Sequence, residues 1–432
     1  MSRHGFRGEI LSVPRDPLRH DDAIRHLADG LLVVEGGRVC AIGPYATLAP
    51  RFAGLTIEPL AGLIVPGFVD THVHYPQLGA IAAHGGQLLE WLERHIFPAE
   101  AAFADPDHAA RMARLFCDAL LRHGTTSALV FATVHPGSVE ALFREALARD
   151  MRLIAGKVLM DLGPDGLRDG AESGLAESAA LIARWRGRGR LGYAVTPRFA
   201  LTSSPDQLTG AGALLARHPD ILLHTHIAEN RAEIDAVAAA FPQDRDYLAV
   251  YERFGLVGPR SVFAHGVHLA PDAMARLAAA GSGIAFCPSS NLFLGSGLFD
   301  LAAADAAGVR VGLGSDIGAG TSLSMLATCG EAYKIGQLRG DTLDPFRALY
   351  LATAGGAALL GLEDRIGGLR PGQDADFVQL DPAATPLLAL RTAGRPLAER
   401  LFALHVLGDD RAVAATFLAG RRAATRETGA FR

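Results

Sequence analysis

The chain has 432 residues, 49% of them hydrophobic, and its 41 Lys and Arg against 46 Asp and Glu leave a net charge of −5. That length suits a large barrel with an accessory domain. Both signs of charge are spread along the chain, which argues against a nucleic-acid stripe, and no apolar run approaches the roughly 20 residues of a membrane span.

The opening segment MSRHGFRGEILSVPRDP has no apolar core of signal-peptide length. Cys40, Cys117, Cys287 and Cys329 lie far apart with no CxxC pair, so they read as free thiols of a cytoplasmic protein. Residues 1–65 look β-rich, and LLVVEGGRVCAIGP places two short apolar runs around Gly36-Gly37, as a hairpin would. After Pro66 strand-length apolar runs alternate with helical patterns. Asp105-Pro106 reads as a helix N-cap followed by a first-turn proline. Met112, Leu115, Phe116, Ala119 and Leu120 then fall on one predicted helical face, and Gly124 is placed to end the helix.

Eight strands are expected, at 68–74, 125–131, 153–160, 192–199, 221–227, 261–267, 283–288 and 309–316. Helical segments such as 231–241, 271–280 and 298–307 lie between them. Eight strand-plus-helix units point to an α/β fold, a (β/α)8 TIM-like barrel over residues 66–365. An open doubly wound sheet is disfavoured, because no Gly-rich dinucleotide loop follows the first strand. A helix is expected at 344–362. Short strands then return at 366–381 and 413–423, so residues 1–65 and 366–432 are expected to meet as a small β-sandwich domain formed by both chain ends.

Active sites of such barrels gather where strands end at their C-terminal sides. His72 and His74 end the first strand, in PGFVDTHVHYPQ. Arg198 and Phe199 end the fourth, His226 the fifth with Glu229 just beyond, His265 the sixth and Asp316 the eighth. Side chains two apart on a strand point the same way, so His72 and His74 can approach one ion together. Three imidazoles and a carboxylate suit zinc or ferrous iron. A lone strand-end histidine is usually a packing residue, but matched strand ends on one face argue for a site. His224 alternates with His226 yet lies deeper, as a hydrogen-bonded barrel histidine would, and His135 is near the rim; the sequence leaves both roles open. His84, His95, His108, His123 and His268 read as surface or packing residues. A lysine bridging two metals would be expected on the fourth strand, where Arg198 stands, so one metal per chain is expected.

These motifs resemble the amidohydrolase superfamily and, within it, the guanine deaminases. The resemblance rests on PGFVDTHVHYPQ, LLEWLERHIFPAE, FATVH, GKVLMDL, TPRFALTSS, HTHIAENRAE, FAHGVHL, CPSSNLFLGSG and GLGSDIGAG, and covers the barrel throughout. It implies one zinc held by His72, His74, His226 and Asp316. It makes Glu229 the proton shuttle, Asp316 the acceptor of the water's proton and His265 a further histidine beside the reacting water. It gives Gln77, Arg198 and Phe199 to the purine. Tyr75-Pro76 stands where other members carry small residues, which bears on the fine shape of the pocket. The implied reaction is hydrolysis of guanine to xanthine and ammonia, by a homodimer, with no nucleic acid or membrane as partner. A related enzyme acting on an adenosine-like, pyrimidine or triazine substrate would keep the metal site and change the pocket, and a non-catalytic relative would be expected to lose ligands. The H-x-E and P-C-x-x-C deaminase design is excluded, since Cys287 has no second cysteine in range.

Overall fold

The computed structural model describes residues 3–426. Eight parallel strands follow one another in a curved sheet: Phe68–His74, Thr125–Phe131, Arg152–Gly156, Gly192–Pro197, Leu222–Ile227, Ser261–His265, Gly283–Phe286 and Arg310–Leu313. The ring is completed by backbone contacts between first and last strands, Asp316 N–H to His72 C=O at 2.9 Å and His74 N–H to Ile317 C=O at 2.9 Å. Strands such as TTSALVF are buried at every residue, because helices cover the outside and side chains fill the inside. Val69, Leu129, Ile154, Ala194, Leu222, Val262 and Ala285, one from each of seven strands, form a dry inner layer. Ala357, Leu359 and Leu360 close it from below.

The first strand carries an irregularity that matters for chemistry. Asp70 pairs with Ala128 and Val73 with Val130, so three steps on one strand match two on its neighbour. This bulge shifts the side-chain alternation. Val69 belongs to the inner apolar layer, and His72 and His74, at odd spacings from it, nevertheless also reach the interior, where both rings pack on Phe131.

Several expected elements differ in detail. The run 153–160 is broken at Lys157, which turns inward to form a buried ion pair with Asp169. The helix expected over 344–362 is two, Pro345–Leu351 and Ala354–Leu359, because Thr353 leaves helical geometry at φ −134° and ψ −96°. Helix Pro106–Arg122 begins as expected, with Asp105 accepting from the Asp107 N–H. Its buried face is Ala109, Ala113, Phe116, Cys117, Leu120 and Leu121, whereas Leu115 is 56% exposed. Small residues let this helix lie close to its neighbours, and a face drawn through the large apolar residues alone is therefore rotated.

Both chain ends build one seven-stranded sheet, in which strands Arg3–Ser12 and Ile57–Pro66 sit beside the late strands Phe377–Leu380, Val413–Leu418 and Arg421–Thr425. The hairpin at Gly36-Gly37 forms, both glycines at positive φ. The sheet folds over on itself, so Phe6 on its first strand meets Phe417 at 5.3 Å between centroids although two strands lie between theirs in the sheet. The connecting stretch forms helices Pro386–Thr392 and Leu397–Leu407, the second of which packs on barrel helix Met325–Arg339 through Phe402 and Tyr333. Sheet and barrel bottom are tied by Arg190 to Asp376 at 2.8 Å and Arg152 to Asp374 at 2.6 Å.

Candidate active site

At the opposite end of the barrel the strand ends converge. His72 Nε2 and His74 Nε2 are 3.2 Å apart, and His74 Nε2 and His226 Nε2 are 3.2 Å apart. Asp316 Oδ1 lies 3.1 Å from His72 Nε2 and 3.4 Å from His74 Nε2. The other edge of two of these rings is held from behind. His226 Nδ1 lies 2.7 Å from the Arg198 carbonyl, which only accepts, so Nδ1 carries the hydrogen and Nε2 a lone pair. His72 Nδ1 shares a hydrogen with His224 Nε2 at 2.7 Å. His224 is thus the packed barrel histidine that its depth suggested, and it orients His72. Burial drives the pKa of all four imidazoles well below the usual value. Neutral rings whose Nε2 atoms face one point, and a carboxylate beside them, are a donor set that fits a metal ion.

His265 and Glu229 face this cluster. His265 Nδ1 donates to Asn291 Oδ1 at 2.9 Å, and its Nε2 is 3.4 Å from Glu229 Oε2 and 3.8 Å from Asp316 Oδ2. Burial lowers the His265 pKa, but the facing charges of Glu229 and Asp316 and the Asn291 bond outweigh it, and the net shift is upward. Burial pushes Glu229 up to about 7, with Asp316 and Glu233 adding to the rise and His265 opposing it. A carboxyl near neutrality both gives and takes a proton readily. Glu229 is held by its backbone: Glu233 Oε2 accepts from the Glu229 N–H at 2.9 Å and the Asn230 N–H at 3.2 Å, while Tyr247 donates to its other oxygen at 2.7 Å. Ala228, His265 and Asp316 all adopt positive φ without being glycine. That backbone costs about 1–3 kcal/mol each and recurs at functional sites.

His74, Gln77, Arg198, Phe199, His226, Glu229, His265 and Asp316 line one cavity, together with Leu88, Trp91, Leu92 and Leu294. Of the metal, catalytic and substrate candidates read from the sequence, His72 alone does not reach the cavity wall and lies beneath the cluster. Tyr75 has no part in the pocket's shape: it packs on Phe103 and donates to the Ser138 carbonyl at 2.7 Å. His135 is outside the cavity.

Sequence reasoning missed residues that sit just behind the cavity and one, Glu233, on its wall. Asp70 accepts from the backbone N–H of Ser315 at 3.0 Å and of His72 at 3.2 Å, and from the Ser315 hydroxyl, so it locks the last strand end onto the first. An acid inside the apolar run FVDTHVH is a readable signal, since a buried carboxylate needs partners. Cys287, read only as a free thiol, lies within reach of His72, His265 and Asp316, and burial raises its pKa well above the usual value. Glu100 and Glu233 gave no periodic signal of their own.

The amidohydrolase family pattern matches residues 63–423. This chain belongs to the amidohydrolase family. Within that family it is similar over nearly its whole length to guanine deaminases. It is 49% identical over 422 residues to the guanine deaminase of Escherichia coli strain K12, covering 96% of each chain. The solved E. coli guanine deaminase superposes with a TM-score of 0.96 at 48% identity, covering 98% of this chain and 100% of that one. The structure of guanine deaminase from C. acetobutylicum with bound guanine in its active site superposes with a TM-score of 0.90 at 28% identity, covering 98% and 100%. The amidohydrolase barrel and its flanking sheet thus account for the fold. No helix among the described residues is long and apolar enough to cross a membrane.

Proposed function

We infer that the protein is a guanine deaminase, hydrolysing guanine to xanthine and ammonia with one zinc ion per chain. The observation that carries the reading is a buried cluster of imidazole nitrogens opening onto a cavity whose wall includes Gln77 and Arg198, in a chain whose near-full-length relatives bear that name.

His72, His74, His226 and Asp316 would hold the metal. When bound, zinc would lower the pKa of a water toward roughly 7 and so supply a nucleophile at neutral pH. Asp316 is placed to take a proton from the attacking water. His265, aligned by Asn291, hydrogen-bonds the incoming oxygen. Glu229 donates a proton to the ring nitrogen beside the amino-bearing carbon, so negative charge does not build there; it then takes the remaining proton of the added hydroxyl, passes it to the departing amine, and is restored by the proton held on Asp316. Arg198 and Gln77 meet the polar edge of guanine, and Phe199 gives its ring apolar contact. A site built to hydrogen-bond one edge rejects a mismatched edge strongly, because its buried donors go unpaired.

A catalytic barrel over residues 66–365, an accessory β unit from 1–65 and 366–432, a homodimer and a cytoplasmic location belong to the same proposal. The test combines metal analysis and kinetics. Purified protein should hold about one zinc per chain, lose activity to chelation and regain it with zinc. Arg198→Ala should lower kcat/KM for guanine with metal content unchanged. Two tightly bound metals, full activity in metal-free protein, or normal kinetics in Arg198→Ala would sink it.

A further inference from the structure

Glu100 stands behind the polar wall of the cavity without lining it, only 1% exposed. It lies on helix Phe97–Ala101, reached through a π-helical turn at Leu92–Ile96, a local change of winding that often accompanies functional sites. Its two carboxylate oxygens serve two different residues. Oε1 accepts from Gln77 Nε2 at 2.9 Å, and Oε2 accepts from Arg198 Nη1 at 2.6 Å. The Gln77 Oε1 in turn accepts from the Gly318 N–H at 3.1 Å.

These contacts determine which way the Gln77 amide faces. Turned over, it would set its carbonyl oxygen against the Glu100 carboxylate and its NH2 against the Gly318 N–H, two repulsions in a buried place. Held as it is, Gln77 keeps one N–H of Nε2 uncommitted, and Arg198 has guanidinium hydrogens beyond the one on Glu100. Both residues line the cavity. A wall locked into donors accepts a ring carbonyl oxygen and opposes a ring amino group.

We propose that Glu100 is a positioning residue that sets the enzyme's choice of an oxo over an amino group at position 6 of the purine, by fixing Gln77 and Arg198 as hydrogen-bond donors. This rests on the reading of the protein as a guanine deaminase. The discriminating pair of substrates is guanine and 2,6-diaminopurine, which carry the same leaving amino group at position 2 and differ at position 6.

The test measures kcat/KM for both purines in the parent and in Glu100→Gln. Glutamine can donate as well as accept, so it pairs with either orientation of Gln77 and the lock is lost. The guanine to 2,6-diaminopurine ratio is expected to fall by at least about 10-fold, mainly through KM for guanine, with metal content and Tm near those of the parent. Glu100→Asp keeps the charge and should keep more of the ratio than Glu100→Gln does. Gln77→Met removes the amide that Glu100 orients and should lower the ratio as well. The double variant should then discriminate no worse than Gln77→Met alone. A parental ratio in Glu100→Gln, or an equal loss for both purines, overturns the inference. Should Glu100→Gln fail to fold, a parental ratio in Gln77→Met overturns it. Absence of guanine turnover by the parent would instead overturn the functional reading itself.

Discussion

The two ends of the barrel handle buried charge in opposite ways. At the end where strands begin, Arg190 meets Asp376 and Arg152 meets Asp374, so each buried charge has an opposite partner and the sheet is pinned to the barrel. At the end where strands finish, imidazole nitrogens face one another at 3.2 Å, two carboxyls face His265, and three non-glycine residues hold positive φ. An arrangement that left such groups together for stability alone would be expensive. The first end is built to be stable, and the second keeps unspent bonding capacity for an ion and a substrate.

That contrast can be broken by substitution at either end. The largest effect is expected from Glu229→Gln. Glutamine keeps the size but cannot carry a proton, so kcat should fall by roughly 10²–10⁴ while zinc content, guanine binding and Tm are largely kept. Normal kcat with full zinc would remove Glu229 from proton transfer and leave Asp316 or His265 to do it. At the other end, Asp376→Asn removes one partner of a buried ion pair. Denaturant unfolding should show a loss of about 3–5 kcal/mol, with kcat of the folded enzyme unchanged. A drop in kcat without a drop in stability would reverse the assignment of the two ends.

His405 sharpens the comparison, because it is a buried histidine that belongs to neither end. It sits on helix Leu397–Leu407, its Nε2 has no partner, and burial lowers its pKa to about 3. Its folded pKa lies below its unfolded value near 6.5, so the unfolded chain binds the extra proton. Stability is therefore lost as pH falls below that unfolded value, by about 1.4 kcal/mol per pH unit for this one group down to the folded pKa. His405→Leu should flatten the dependence of stability on pH between 6.5 and 5 by about that slope and leave kcat alone. An unchanged slope would show that His405 does not stay neutral in the fold.

Much of the site was readable because strands have a period of two and end on one face. His72, His74, His226, His265 and Asp316 were found from strand ends alone, and Glu229 from its place just past one. The bulge at Asp70 was not readable, since one extra residue between two apolar strands leaves the hydrophobic pattern intact. Yet it brings both histidines inside. Glu100 was hidden for a different reason. Its role depends on the π-helical turn before it and on partners 23 and 98 residues away, distances across which local pattern carries no information. The folded-over sheet and the two helices between its late strands were unreadable on the same ground, because they follow from packing on the barrel's outer helices.

The measurement that bears most directly on the central claim is product analysis with purified, zinc-replete protein and free guanine, adenine, cytosine and their nucleosides. The account predicts one xanthine and one ammonia for each guanine consumed, with turnover of the other bases and of guanosine far slower. Adenine or a nucleoside turned over as well as guanine, or guanine left intact by protein that holds its metal, would contradict it.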